Sequence, residues 1–123
     1  MNPEQIFKKI AKEYKNFICT EVFHHCGEQT GQYSEGVIRI TTPIKVTWLT
    51  VTILLHELGH ALLDDEWQNF LIGIAIMTGR YRKKSKLRKT VEGDATALAG
   101  ALAIHYGVYN RVYNSLQLVD TGI

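Results

Sequence analysis

The chain has 123 residues, 46% of them apolar, and a formal net charge of +2. That suffices for one domain with its own core. Two cysteines, Cys19 and Cys26, exclude a disulfide-built scaffold, and no apolar run approaches the roughly 18 residues of a membrane span. The N-terminus lacks the continuous apolar stretch of a signal peptide, so the expectation is a soluble, cytoplasmic protein without a membrane partner.

Asn2, Pro3 and Gln5 mark a helix start with a capping box. Ile6, Phe7, Ile10, Ala11, Tyr14, Phe17 and Ile18 continue it at helical spacing to about Cys19. Thr20 to His24 is β-prone, Gly27 to Gly31 reads as a turn, and Gly36 to Thr42 reads as a strand ended by Pro43. The two β segments are expected to pair as a hairpin. A second helix is predicted from about Thr47 to Leu63. Asp64 and Asp65 start a third, with Trp67, Phe70, Leu71, Ile74 and Met77 along it and Gly79 closing it. Seven of the ten residues 80–89 are basic (Arg80, Arg82, Lys83, Lys84, Lys86, Arg88 and Lys89) and read as an exposed connector. The last strong helix spans about Val91 to Tyr106, ended by Gly107. The tail from Val108 to Ile123 is expected to be at best partly helical.

The second helix contains His56-Glu57-Leu58-Gly59-His60. Two imidazoles four residues apart stand on one helix face, where a tetrahedral zinc can take both. Glu57 is then the candidate general base of a metal-dependent peptidase. Trp48, Leu49, Val51, Ile53, Leu54, Leu55, Leu58, Ala61, Leu62 and Leu63 make this helix apolar nearly all round, hence buried. Buried imidazoles need partners, and one metal satisfies both. The plain alternative is two hydrogen-bonded histidines and a salt-bridged Glu.

A catalytic zinc takes three protein ligands and leaves one position open. A third His six residues after His60 is absent, since position 66 is Glu. Glu92 opens Glu92-Gly93-Asp94-Ala95-Thr96-Ala97-Leu98-Ala99. Glu92, Ala95, Thr96, Ala99 and Ala103 share one face, and their small side chains permit close helix approach, while Asp94 points elsewhere. The alternative for Glu92 is a first-turn acid favoured by the helix dipole.

HELGH followed by E-x-x-A on a second helix resembles the gluzincins. With the upstream strand, LLHELGHALL and EGDATALAGALA, the chain is most similar to the ImmA/IrrE family of small intracellular metallopeptidases that cleave regulatory proteins. HtpX-like peptidases and minimal gluzincins share the skeleton. The resemblance covers roughly residues 36–103. It implies an α+β zincin-like domain over residues 1–123, with a small antiparallel sheet, an active-site helix and a glutamate-bearing helix. It implies Zn2+ on His56, His60 and Glu92, with Glu57 catalytic in a zinc metalloendopeptidase acting on a protein or peptide. Thr96 stands where these families usually carry Asp or Asn to orient a ligand His.

Strand 36–42 is expected to hold substrate by strand addition, which needs an open edge. His105, Tyr106, Tyr109 and Tyr113 are candidates for oxyanion stabilisation. His24, His25, Cys19 and Cys26 fit no zinc spacing and read as structural. The apolar tail is expected to lie in the substrate cleft and restrain activity, so truncation after about Gly107 would raise it. The basic run 80–89 is either solvated or contacts an acidic protein or nucleic acid. The rival to a peptidase is a non-catalytic or DNA-associated protein with a structural zinc.

Overall fold

The capping box at Thr47, whose side chain pairs with Thr50, starts a helix that organises the whole chain. The computed structural model describes residues 1–25, 27–64, 66–79 and 86–120. Its elements are α1 (Pro3–Tyr14), β1 (Cys19–His24), β2 (Thr30–Ser34), β3 (Val37–Thr42), α2 (Trp48–Leu62), α3 (Glu66–Met77), α4 (Lys86–His105) and α5 (Tyr109–Asp120). The fold is α+β, with five helices and a mixed three-stranded sheet among the described residues.

Residues Thr50 to Gly59 of α2 are all buried, as an all-round apolar helix requires. α1, β2, β3, α4 and α5 pack around α2. The core joins Ile6 and Ile10 of α1, Ile38 and Ile40 of β3, Leu54, Leu55 and Leu58 of α2, and Ala99 and Ala103 of α4. The buried hydroxyls at the head of α2 are satisfied locally. Thr50 Oγ1 lies 3.1 Å from Thr42 Oγ1 and donates to Gln29 Oε1 at 3.2 Å, tying strand end, loop and helix together.

The sheet corrects three expectations. Strand order is β1-β3-β2, with β1 parallel to β3 and β2 antiparallel to it. The two expected strands therefore do pair, Cys19 opposite Val37, but in parallel rather than as a hairpin. The sheet is mixed rather than antiparallel. Of the expected strand 36–42, Val37–Thr42 forms the central strand, paired on both sides and so without an open edge, and Gly36 belongs to the turn before it. The hairpin lies between β2 and β3, through Glu35 (φ 49°) and Gly36 (φ 81°). Two consecutive positive φ values suit a two-residue turn whose twist matches the strands.

The ends of the helices also shift. The Asn2–Gln5 capping box forms, but α1 stops at Tyr14, because Cys19 must be extended to pair with β3. Phe17 is consequently exposed rather than on the core face. Residues 86–89 are the first turn of α4 and not part of a connector, while 80–85 lie outside the described residues. α4 ends as expected at Gly107 (φ 72°), with Val108 N–H bonding Ala103 O and Gly107 N–H bonding Ile104 O.

Within the described residues the tail forms α5 and contributes to the core. Val108, Val112 and Leu116 are buried, and α5 packs on both α2 and α4. The expectation that it fills a substrate cleft is overturned. Three such side chains contribute on the order of 5–9 kcal/mol, comparable with the whole stability of a small domain. Truncation after Gly107 should therefore abolish the cooperative thermal transition seen by circular dichroism. A truncated chain with an intact transition would place the tail outside the core after all.

Candidate metal centre

α2 and α4 cross where Gly59 meets Ala95. A Cβ added at Gly59 would lie 2.5 Å from the Ala95 carbonyl oxygen, so only glycine permits this approach. Ala95, Ala99 and Ala103 are fully buried along the same seam. The close crossing brings Glu92, one turn before Ala95, over the histidine pair.

Three donor atoms converge there. Glu92 Oε2 is 2.8 Å from His56 Nε2 and 2.9 Å from His60 Nε2, and the two nitrogens are 3.1 Å apart. Three ligands of one tetrahedral zinc, at bonds of about 2.0–2.2 Å, stand roughly 3.4 Å from one another. The triangle is a few tenths of an ångström tighter than that, within reach of small side-chain rotations. Two imidazole nitrogens and one carboxylate oxygen are also a donor set that zinc accepts. Ligand atoms of His56, Glu57 and His60 also lie within 4.8 Å of one another, close enough to hold a metal ion.

His56 is 3% exposed, whereas His60 and Glu92 are 19% and 20% exposed, so the cluster opens to solvent on their side. Glu92 is not the first-turn acid of the alternative reading. α4 begins at Lys86, which places Glu92 in the second turn, and the first turn carries no acid. Asp94, two residues on, is exposed as expected. Thr96 Oγ1 lies 3.2 Å from His56 Nδ1. When Nε2 turns its lone pair to a metal, Nδ1–H donates to this hydroxyl and holds the ring in that tautomer.

The two carboxylates are held apart in acidity. Burial drives Glu57 above the usual carboxylate range, with the Glu92 charge adding to it, against the opposing pull of His60, His56 and the Tyr33 N–H. Burial would raise Glu92 as well, but hydrogen bonds from both imidazoles outweigh it and hold the group at about 2. Burial would lower His60, and the Glu92 hydrogen bond and the charges of Glu92 and Glu57 overcome it, so its pKa is raised.

These shifts set the pH behaviour of the metal-free protein. Glu92, depressed, contributes stability above the ordinary carboxylate range that is lost as pH falls toward about 2. His60, raised, contributes stability below about 6.5, its ordinary value, that is lost as pH rises through its folded pKa. Metal loading needs neutral imidazoles and releases that proton. Metal-free protein should thus lose thermal stability as pH rises from about 6.5 through the raised His60 pKa, and metal-loaded protein should not. Parallel melting curves for the two forms across that range would refute it.

β2 is the part of the site that the sequence reading missed. The Tyr33 backbone N–H donates to the Glu57 carboxylate, and the Tyr33 hydroxyl donates to Asp64 Oδ2 at 2.6 Å, just past the end of α2. A Cβ at Gly31 would meet Ile53 Cγ2 at 2.3 Å and Glu57 Cγ at 3.0 Å. β2 is therefore an edge strand pressed against the motif helix at Glu57. Its polar residues Thr30-Gly-Gln-Tyr-Ser34 conceal it, and only Glu35-Gly36 signals the hairpin.

The other candidates have contacts elsewhere. Tyr106 donates to Glu13 of α1, and His105 packs edge-on against Tyr106. Tyr109 and Tyr113 pack on each other in a groove between α4 and α5. His24 Nδ1 lies 3.4 Å from the Pro43 carbonyl, His25 is 3.9 Å from Glu28, and Cys19 is exposed. Cys26 lies outside the described residues. No described helix is long and apolar enough to cross a membrane.

Glu92→Ala should weaken metal binding by at least about tenfold, since it removes one of three donors, and Asp94→Ala should leave it unchanged. Competition against a chromogenic chelator reads both; equal affinities would remove Glu92 from the donor set.

Comparison with known protein families, with curated proteins and with solved structures finds no match to this chain.

Proposed function

We propose that this chain is a zinc-dependent endopeptidase of the gluzincin type, most similar in its motifs to ImmA/IrrE peptidases, with a zincin-like arrangement around α2. The observation that carries the reading is the convergence of Glu92 Oε2 on both Nε2 atoms, with the less acidic Glu57 beside them. His56, His60 and Glu92 would hold the zinc. The metal, when bound, supplies Lewis acidity that makes water nucleophilic near neutral pH and polarises a carbonyl.

The chain's own residues do the rest. Two carboxylates of pushed-apart acidity divide the labour: Glu92 stays anionic as a ligand, and Glu57 accepts a proton from water and returns it to the leaving amine. Tyr33 N–H orients the Glu57 carboxylate for that transfer. Thr96 fixes the ring of His56. An extended peptide would be held along β2, the sheet edge that borders Glu57, instead of along β3.

The test is metal content together with turnover. Purified protein should carry one zinc per chain and cleave casein, a chelator should stop cleavage, and added zinc should restore it. Zinc that binds without any cleavage would leave the non-catalytic reading. Protein that takes up no zinc at all would remove both.

A further inference from the structure

β2 is joined to the motif helix at two points, and both run through Tyr33. Its backbone N–H donates to the Glu57 carboxylate. Its hydroxyl donates to Asp64 Oδ2 at 2.6 Å and accepts the Gly36 N–H at 3.1 Å. Glu57 and Asp64 are about two helical turns apart in sequence, so the tyrosine lies lengthwise along the second half of α2. Its ring is half-buried against the core. One hydroxyl therefore ties together β2, the β2–β3 turn and the exit from α2.

The sheet alone cannot keep Tyr33 in place on Glu57. β2 is five residues long and pairs with β3 on one side, which fixes it within the sheet but not against the helix. Gly31 sets how close the strand can come, since a Cβ there would lie 3.0 Å from Glu57 Cγ. Packing of that kind resists approach and does nothing to stop the strand from lifting away. A bond that pulls is needed, and 2.6 Å is the short distance of a hydroxyl held by a carboxylate. A group that transfers protons has to be held to within about 0.5 Å, by neighbours that are themselves locked.

We infer that Asp64 and the Tyr33 hydroxyl form a clamp that keeps the Tyr33 N–H on Glu57. Both are positioning residues: Asp64 acts through the Tyr33 side chain, and Tyr33 acts through its own backbone. The consequence for turnover rests on the peptidase reading above, whereas the hold on the N–H does not.

The experiment is Tyr33→Phe in the full, zinc-loaded chain, which removes the hydroxyl and keeps the ring and the backbone N–H. By NMR, the Tyr33 amide should exchange about tenfold faster with solvent, the scale of one lost hydrogen bond. The Leu54 amide, in the buried part of α2, should keep its wild-type rate. Turnover of casein should fall about tenfold, less than the loss expected from removing the base itself, with zinc affinity unchanged. Adding Tyr33→Phe to Asp64→Ala should change neither quantity further, because both remove one bond, and this separates that bond from the other interactions of Asp64. Asp64→Asn, whose amide oxygen still accepts the hydroxyl, should recover most of what Asp64→Ala loses. An unchanged Tyr33 amide in Tyr33→Phe would overturn the clamp. So would equal acceleration at Leu54, which would mean a general loss of stability, or additive effects in the double variant. Faster Tyr33 exchange with undiminished turnover would show a clamp that does not serve the base, which also overturns it. A wild type without any turnover would count against the peptidase reading, and the exchange rates would still decide whether the clamp holds the N–H.

Discussion

Glu57→Gln is expected to keep the fold and the full metal content while losing turnover by about 10²–10⁴-fold, the usual contribution of a positioned general base. The amide is nearly isosteric and can still accept the Tyr33 N–H that the carboxylate accepts. It cannot take a proton from water. Because Glu57 is not one of the three converging donors, metal affinity should change little. Single-turnover cleavage with metal analysis on the same sample reads both quantities. Turnover equal to wild type would sink the catalytic role of Glu57, and lost metal would show that it belongs to the donor set.

Gly59→Ala is expected to cost about 3 kcal/mol, the upper part of the range for overpacking, and to weaken metal binding with it. The added Cβ would stand 2.5 Å from the Ala95 carbonyl oxygen, against backbone that cannot rotate away. α2 and α4 must separate, and Glu92 moves with α4 away from the imidazoles on α2. Gly93→Ala is the control: nothing lies within 4 Å of its added Cβ, so it should leave stability equal or improved. Chemical denaturation of the two variants, with and without zinc, gives the comparison. Equal stabilities would mean that the helix crossing has slack where the structure has none.

Both expectations depend on features of unequal legibility. The histidine pair, Glu57 and the extent of α2 could be read from the chain within a residue at each end, because caps and helical period are local properties. The small-residue face from Glu92 to Ala103 was legible for the same reason. Gly59 was legible as part of HELGH but not as the contact that sets helix separation, since nothing local says which residue of another helix lies opposite.

Sequence by itself determined the α+β class, the starts of α1 and α2, the Gly107 stop of α4 and the donor triad His56, His60 and Glu92 as candidates. These follow from spacing, capping and turn chemistry within a few residues. Tertiary structure alone decided that β1 and β3 run parallel, that β2 and not β3 is the edge beside Glu57, and that α5 contributes to the core. Strand neighbours are chosen by contacts across the chain, such as Cys19 with Val37 and Gly31 with Ile40, and by how α2 covers the sheet. A polar strand such as β2 declares itself only when Gly31 closes on Ile53 and Tyr33 reaches Asp64. Likewise Val112 and Leu116 become core residues because the groove they fill exists only once α2 and α4 have crossed.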